Sequence, residues 1–424
     1  DPDNKGKFIE KEEDDPDWAE ARRILTELLN QRAELKSYDR SVMWNYWGYI
    51  YFSEEDYDQA MYAYEQLLNE PEATIPLRTA SLLTLAQLNL VKERWDKGIS
   101  LILQWMDEVE TVTAQSYYLL SSAYFQKEDF VRARRNMEEA IRLAEEEGYR
   151  PKENWYVLLA ACFSELKDRK VIGPEYALEQ QVGIYEILVN YYPKKQYFLQ
   201  LGYTYQQMDR EEDYMLTLKA AYDKDFLDKE SEYLALAQML LLKKNPYWAA
   251  QVLVAGQEKK VTITDEDTGE EETVAVLKDK EKTLKLLADA WRMAQEIDMA
   301  IPVLEKAAKM SKDGDTYVLL GNLYLFEDRM EDSIRAIKNG LAKPKVKSRS
   351  QALLVLGQAY FELQNFEEAK KQFRAAARDE NKRIKKTANS WIKYAENEEI
   401  RVKNLALRRD FIQQSKAKSK AKNS

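Results

Sequence analysis

The chain of 424 residues has no histidine. The side chain that most often serves as general base and as transition-metal ligand is missing, which excludes Ser–His and Cys–His catalysis and histidine-containing zinc sites. There is one cysteine, so no internal disulfide can form and a disulfide-built extracellular fold is excluded. That residue, Cys162, follows Leu158 and Leu159 at helical core spacing and reads as a packed small hydrophobe, not a nucleophile. Glycine is scarce at 13 residues and scattered, with no GxxxxGK(S/T), GxGxxG or GxSxG, so no phosphate cradle or nucleophile elbow is present. No apolar run approaches the roughly 18–20 residues needed to cross a bilayer. Carboxylates are abundant, but in amphipathic helices they read as solvated faces. These absences predict a chain with no catalytic residue, no metal site and no cofactor.

What the chain does contain is a recurring pattern. Leu356-Gly357, Tyr360, Ala369, Phe373 and Ala376 stand at offsets repeated by Trp47-Gly48, Tyr51, Ala60, Tyr64 and Leu67, and again by Leu320-Gly321, Tyr324 and Ile337. These offsets resemble the tetratricopeptide repeat, in which a small residue on a first helix lets a second helix approach closely. Taking the small residue as marker places nine repeats, at Gly48, Ala86, Ser121, Leu159, Gly202, Ala237, Ala288, Gly321 and Gly357. Leu159 breaks the rule: a bulky marker should push its hairpin apart, and the following turn, Lys167–Tyr176, looks about four residues too long for the motif. The expected fold is all-α, a right-handed helical solenoid of about nine helix-turn-helix repeats, forming one elongated body instead of several globular domains.

The interval between Ala237 and Ala288 is the longest. It holds Val261-Thr262-Ile263-Thr264 and Thr273-Val274-Ala275-Val276, β-branched and alternating around a polar glycine-containing loop, which predicts an inserted β-hairpin over 261–276. The ends differ from the body. Residues 1–17 form a flexible acidic lead, and 18–40 a capping helix before the repeats of 41–380. A second capping helix covers 381–411, and 412–424 reads as a disordered basic tail rich in Lys, Ala and Ser. From Arg378 onward there are 14 Lys plus Arg against six acids, which leaves −18 on the residues before them, given the overall −10. Asp1, Asp3, Gly6 and Glu12 match some positions of an EF-hand loop, but Lys5 occupies a ligand position, so the segment reads as an acidic terminus.

The resemblance also implies a binding surface, because in tetratricopeptide arrays particular positions of the first helices line a concave groove. Carried over repeat by repeat, these are Asn45, Tyr49, Phe52 and Gln87, then Tyr118, Phe125 and Tyr156, then Tyr203, Gln206 and Asn322. Such a groove is aromatic and amide-rich. In the three N-terminal repeats it lacks the Lys and Arg with which family members clamp acidic chaperone C-termini. It suits an extended protein segment, including a proline-rich one, whose backbone meets amides while its apolar side lies on rings. An acidic body without a basic stripe interleaved with aromatics argues against nucleic acid as a partner.

In overall build, with an acidic N-terminus, about nine degenerate Trp- and Tyr-rich repeats and a Lys/Ala/Ser tail, the chain is similar to bacterial tetratricopeptide proteins associated with TonB–ExbB–ExbD systems. That resemblance implies a periplasmic scaffold whose partners are TonB-type transducers or outer-membrane transporters. The start at Asp1 instead of Met fits a mature form after signal-peptide removal. The alternative is a cytoplasmic adaptor in the assembly or regulation of another multiprotein complex.

Overall fold

The computed structural model describes residues 18–264 and 271–422. The chain divides into two compact units, Asp1–Tyr214 and Met215–Ser424. In the first, α1 (Trp18–Asn30) precedes four hairpins: α2 (Ser37–Ser53) with α3 (Tyr57–Leu68), α4 (Ile75–Val91) with α5 (Trp95–Glu108), α6 (Ala114–Gln126) with α7 (Phe130–Glu146), and α8 (Glu153–Asp168) with α9 (Pro174–Tyr191). Then come α10 (Lys195–Gln207) and α11 (Glu211–Asp223), which runs across the boundary. The second unit opens with α12 (Glu230–Leu242) and α13 (Pro246–Glu258), followed by strands β1 (Lys260–Thr264) and β2 (Glu271–Ala275). Three further hairpins are α14 (Glu281–Met293) with α15 (Ile297–Met310), α16 (Asp315–Phe326) with α17 (Met330–Leu341), and α18 (Arg349–Glu362) with α19 (Phe366–Ala376). The last helix is α20 (Lys382–Lys422). The fold class is the expected one, all-α and built of helix-turn-helix repeats with one inserted β-hairpin.

Each hairpin turns on a residue in the left-handed region. Glu55, Glu93, Glu128, Lys170, Asp209, Lys244, Gln295, Asp328 and Gln364 have positive φ, one per repeat, between the first and second helices. In eight of the nine repeats this residue lies seven positions after the marker, as in Gly48 to Glu55 or Gly357 to Gln364. A following Asp or Asn caps the second helix: Asp56, Asp129 and Asn365 accept from the backbone N–H of Gln59, Arg132 and Glu368.

The markers work by close approach. A Cβ on Gly357 would sit 2.5 Å from the Phe373 ring, and one on Gly48 would sit 2.7 Å from Tyr64. Where serine stands in such a contact it bonds across it, with Ser121 Oγ donating to the Ala133 carbonyl and Ser333 Oγ to that of Gly321, both at 2.7 Å.

The exception is α8, where Lys170 lies seven residues after Phe163, not Leu159. The frame therefore runs one helical turn later than the sequence suggests, and the turn that follows, residues 169–173, is five residues long against three in the hairpins α2–α3, α4–α5 and α6–α7. Phe163 occupies the small position and is fully buried. The ring is accommodated because α9 starts late, bringing Ala177 and Gln181 opposite, and Gln181 Nε2 donates to the Ala160 carbonyl at 3.3 Å.

The strands pair antiparallel with Val261 opposite Val274 and Ile263 opposite Glu272. They are mostly exposed, but their root is held: Val276 and Leu277 are buried, and Lys259 Nζ reaches the Asp225 carboxylate at 2.6 Å. The polar glycine-containing loop expected between the strands falls at 265–270 and, like the lead and the EF-hand lookalike within 1–17, lies outside the described residues.

At the C-terminus the expected boundary at 411 is corrected. The helix α20 continues through the segment read as a disordered tail, to Lys422. Ala and Lys favour helix as strongly as they mark low complexity. The first half of α20 packs Ala388, Trp391, Ile392, Ala395 and Val402 onto α19, around Phe373.

The first two repeats share an ion pair in equivalent places. Arg40 grips Glu70 through two bonds of 2.8 Å, and Arg78 grips Glu108 at 3.1 and 3.2 Å. The guanidinium bonds hold the Glu70 carboxyl below its usual 4.5 and do the same for Glu108. A carboxyl lowered in the folded state contributes stability that is complete above its unfolded value and lost as pH falls through the folded one. Replacing Arg40 and Arg78 by Met should flatten the acid limb of a stability-versus-pH profile below about pH 4.5. Thermal melts on both proteins over pH 3 to 6 read this, and parallel acid limbs would rule it out.

Candidate protein-interaction site

The sequence assigned the site to the outward positions of the first helices, and the structure sorts those residues into three groups. Tyr49 and Phe52 on α2 and Tyr203 on α10 are exposed, at 53%, 44% and 58%, and Gln87 and Gln206 are exposed beside their own helices' cores. Tyr49 meets Trp18 of α1 edge-on at 5.7 Å, so one side of its ring is occupied while the rest faces solvent. These five can meet a partner without disturbing the fold.

Asn45, Tyr118, Phe125 and Asn322 are half-buried. Tyr118 stacks on Trp155 of the next repeat, 5.4 Å between centroids and 11° between planes, and its hydroxyl accepts from Asn154 Nδ2 at 2.8 Å. Phe125 lies edge-on to Phe130, the first residue of the second helix in its own hairpin. Both rings hold the array together before they offer anything outward.

Tyr156 is corrected outright. It is 4% exposed, in the core with Trp155, Phe163 and Leu188, and burial pushes its hydroxyl up to about 12. The shifted frame of α8 explains this: counted from Phe163, Tyr156 is a packing position at the start of the helix, while Val157 faces out. Burial likewise pushes the Cys162 thiol up to about 12, as suits a packed hydrophobe.

In the second unit a cleft of about 820 Å³ opens between the end of α14, the start of α15, and α16 with α18. Its walls include Arg292, Glu296, Asp298, Asn322, Phe326 and Gln351. Asn322 lines this cleft, with Nδ2 donating to the Val318 carbonyl in its own helix at 3.1 Å. Phe326, one turn further on, is 75% exposed. An exposed ring beside an amide and flanking carboxylates can take an apolar side chain on the ring and a cationic one on the acids.

Sequence spacing missed several exposed rings, including Tyr46 at 56%, Tyr62 at 49% and Trp248 at 48%. They lie off the family's groove positions, and only their exposure picks them out. Among the described residues no cluster of His, Cys, Asp and Glu could hold a metal ion, and no helix is long and apolar enough to cross a membrane.

No curated protein matches the chain. Solved structures similar to it include MamA, with 20% identity over 44% of this chain and 97% of that one and a TM-score of 0.34. Another is a tetratricopeptide repeat protein of Parabacteroides merdae, with 13% identity over 67% and 98% and a TM-score of 0.26. The Cut9–Hcn1 hetero-tetramer of the APC/C matches with 11% identity over 82% and 88% and a TM-score of 0.28. Likeness at this level transfers no partner to the chain. The tetratricopeptide repeat profile matches residues 114–147, which hold the hairpin α6–α7, and 350–378, which hold α18–α19, so two of the hairpins described above are tetratricopeptide repeats.

Proposed function

We propose that the protein is a non-catalytic scaffold that binds protein segments on the exposed faces of its first helices. The observation that carries this reading is the cleft of about 820 Å³ with Phe326 exposed at its edge and Asn322 in its wall. An exposed aromatic ring in a concave surface has its largest favourable interaction still to make. Tyr49, Phe52 and Tyr203 offer similar rings in the first unit. A more specific version places the scaffold in the periplasm, with a TonB-type transducer or an outer-membrane transporter as partner. That version is supported by the resemblance in build to tetratricopeptide proteins of TonB–ExbB–ExbD systems. The alternative remains a cytoplasmic adaptor.

A photo-crosslinking side chain placed at Phe326, at Tyr203 and, as control, at exposed Leu103 on α5, the second helix of its hairpin, tests both levels in cells. Adducts at the first two positions and not at the third are expected. Labelling equal at all three would remove the site. Adducts with cytoplasmic proteins alone would keep the scaffold and remove the periplasmic assignment.

A further inference from the structure

The helix α20 runs 41 residues, roughly 60 Å at about 1.5 Å per residue, and only its first half is used for packing. Besides the apolar contacts, Lys370 of α19 reaches Glu399 at 2.7 Å, which fixes the same side of the helix. From Lys403 to Lys416 every side chain is exposed.

The opposite side carries a single line of residues spaced three or four apart: Lys382, Lys386, Lys393, Ile400, Leu407 and Phe411, with Asn389, Asn397 and Asn404 filling the intervals. All nine are exposed, and the three apolar ones strongly so, at 58%, 67% and 72%. No carboxylate stands on the line. Glu398 is held by Arg401, Glu399 by Lys370 and Lys403, and Glu396 faces Arg374. Lys382, Lys386 and Lys393 form no ion pair among the described residues, although cations elsewhere on this surface are commonly paired. Arg401 and Arg408 border the apolar end, and the sequence adds Lys416, Lys418, Lys420 and Lys422 beyond it.

We propose that this face of α20 lies on an anionic lipid surface, with Ile400, Leu407 and Phe411 entering the headgroup region and the lysines and arginines meeting lipid phosphates. Charge complementarity selects this occupant. A second copy of the chain would set these cations against one another if paired in parallel, and would set Lys382, Lys386 and Lys393 against Phe411, Leu407 and Ile400 if paired antiparallel, so neither pairing meets them with negative charge. An anionic bilayer supplies both the negative charge and the apolar depth that this line presents together, and a helix lying in the interface needs no spanning length. The scaffold would thereby be held at a membrane by its end, leaving the first helices of its repeats free for partners.

The test uses the full chain in co-sedimentation with vesicles of phosphatidylcholine alone and of phosphatidylcholine with phosphatidylglycerol, over a salt series. Binding to the second kind only, weakening as salt rises, is expected. The double variant Leu407→Ser/Phe411→Ser should bind at least about tenfold more weakly, and so should Lys382→Gln/Lys386→Gln/Lys393→Gln. These side chains are exposed, so the melting temperature should stay unchanged and serves as the folding control. Absence of binding to anionic vesicles at low salt overturns the proposal and leaves the face to an acidic protein surface. Binding that survives the serine variants also overturns it, because charge alone would then suffice.

Discussion

Replacing Phe373 by Ala should destabilise the C-terminal repeat by about 3–5 kcal/mol, the range for removing a buried phenylalanine. The ring is fully buried, lies against the space that Gly357 leaves open, and stacks on Trp391 of α20 at 5.5 Å. It therefore joins three helices through one side chain. In a repeat array each unit leans only on its neighbours, so the damage should stay local. Hydrogen exchange should accelerate in α18, α19 and the first half of α20, while α2 to α7 keep their protection. Uniform acceleration along the chain would mean that the array unfolds as a single cooperative block and that this picture of nearest-neighbour stability is wrong.

The same contact shows why so much of the fold can be read from the sequence. A glycine at one position and an aromatic or branched residue sixteen later, as in Gly48 and Tyr64, Gly321 and Ile337, or Gly357 and Phe373, are two halves of one close approach. The left-handed turn residue falls between them at a fixed offset, so marker, turn and ring constrain one another. The fourth repeat escaped because it has no small marker. Leu159 stands where the spacing calls for one, and only the turn at Lys170 reveals that Phe163 holds the position. The inserted strands were legible from β-branched alternation, with β2 starting at Glu271, two residues before the apolar alternation begins. The end of α20 was not, since a Lys/Ala/Ser stretch has the composition of a tail and the propensity of a helix, and composition alone does not choose between them.

The site was less legible than the fold, and tyrosine is the reason. Its ring packs like phenylalanine and its hydroxyl tolerates water, so a chain with 27 tyrosines offers the same letter for core, seam and surface. Tyr156, Tyr118 and Tyr203 were all placed in the groove by the same spacing, yet they are respectively buried, half-buried against Trp155, and exposed. What separates them is the neighbouring repeat, which a pattern internal to one repeat does not contain.

That separation gives the second large expected effect. Tyr118→Ala removes a stacked ring from between two repeats and leaves Trp155 partly uncovered, so it should cost about 2–4 kcal/mol of stability in the region of α6 to α8, within the range for large-to-small substitutions at packed positions. Tyr203→Ala removes a ring that is 58% exposed and should leave the melting temperature within about a degree, since surface substitutions rarely exceed about 0.5 kcal/mol. On partner binding the order should reverse for any partner that engages this face of α10. Loss of an exposed aromatic anchor costs about 2 kcal/mol or more, close to thirtyfold in affinity. Tyr118→Phe separates the parts played by ring and hydroxyl: it keeps the stack on Trp155 and gives up only the bond from Asn154, so it should recover most of the stability lost in the alanine variant. Melts and binding isotherms on the three variants decide the matter. If Tyr203→Ala lowers stability as much as Tyr118→Ala while affinity is untouched, the exposed ring is structural and the partner face must be sought at Phe326 instead.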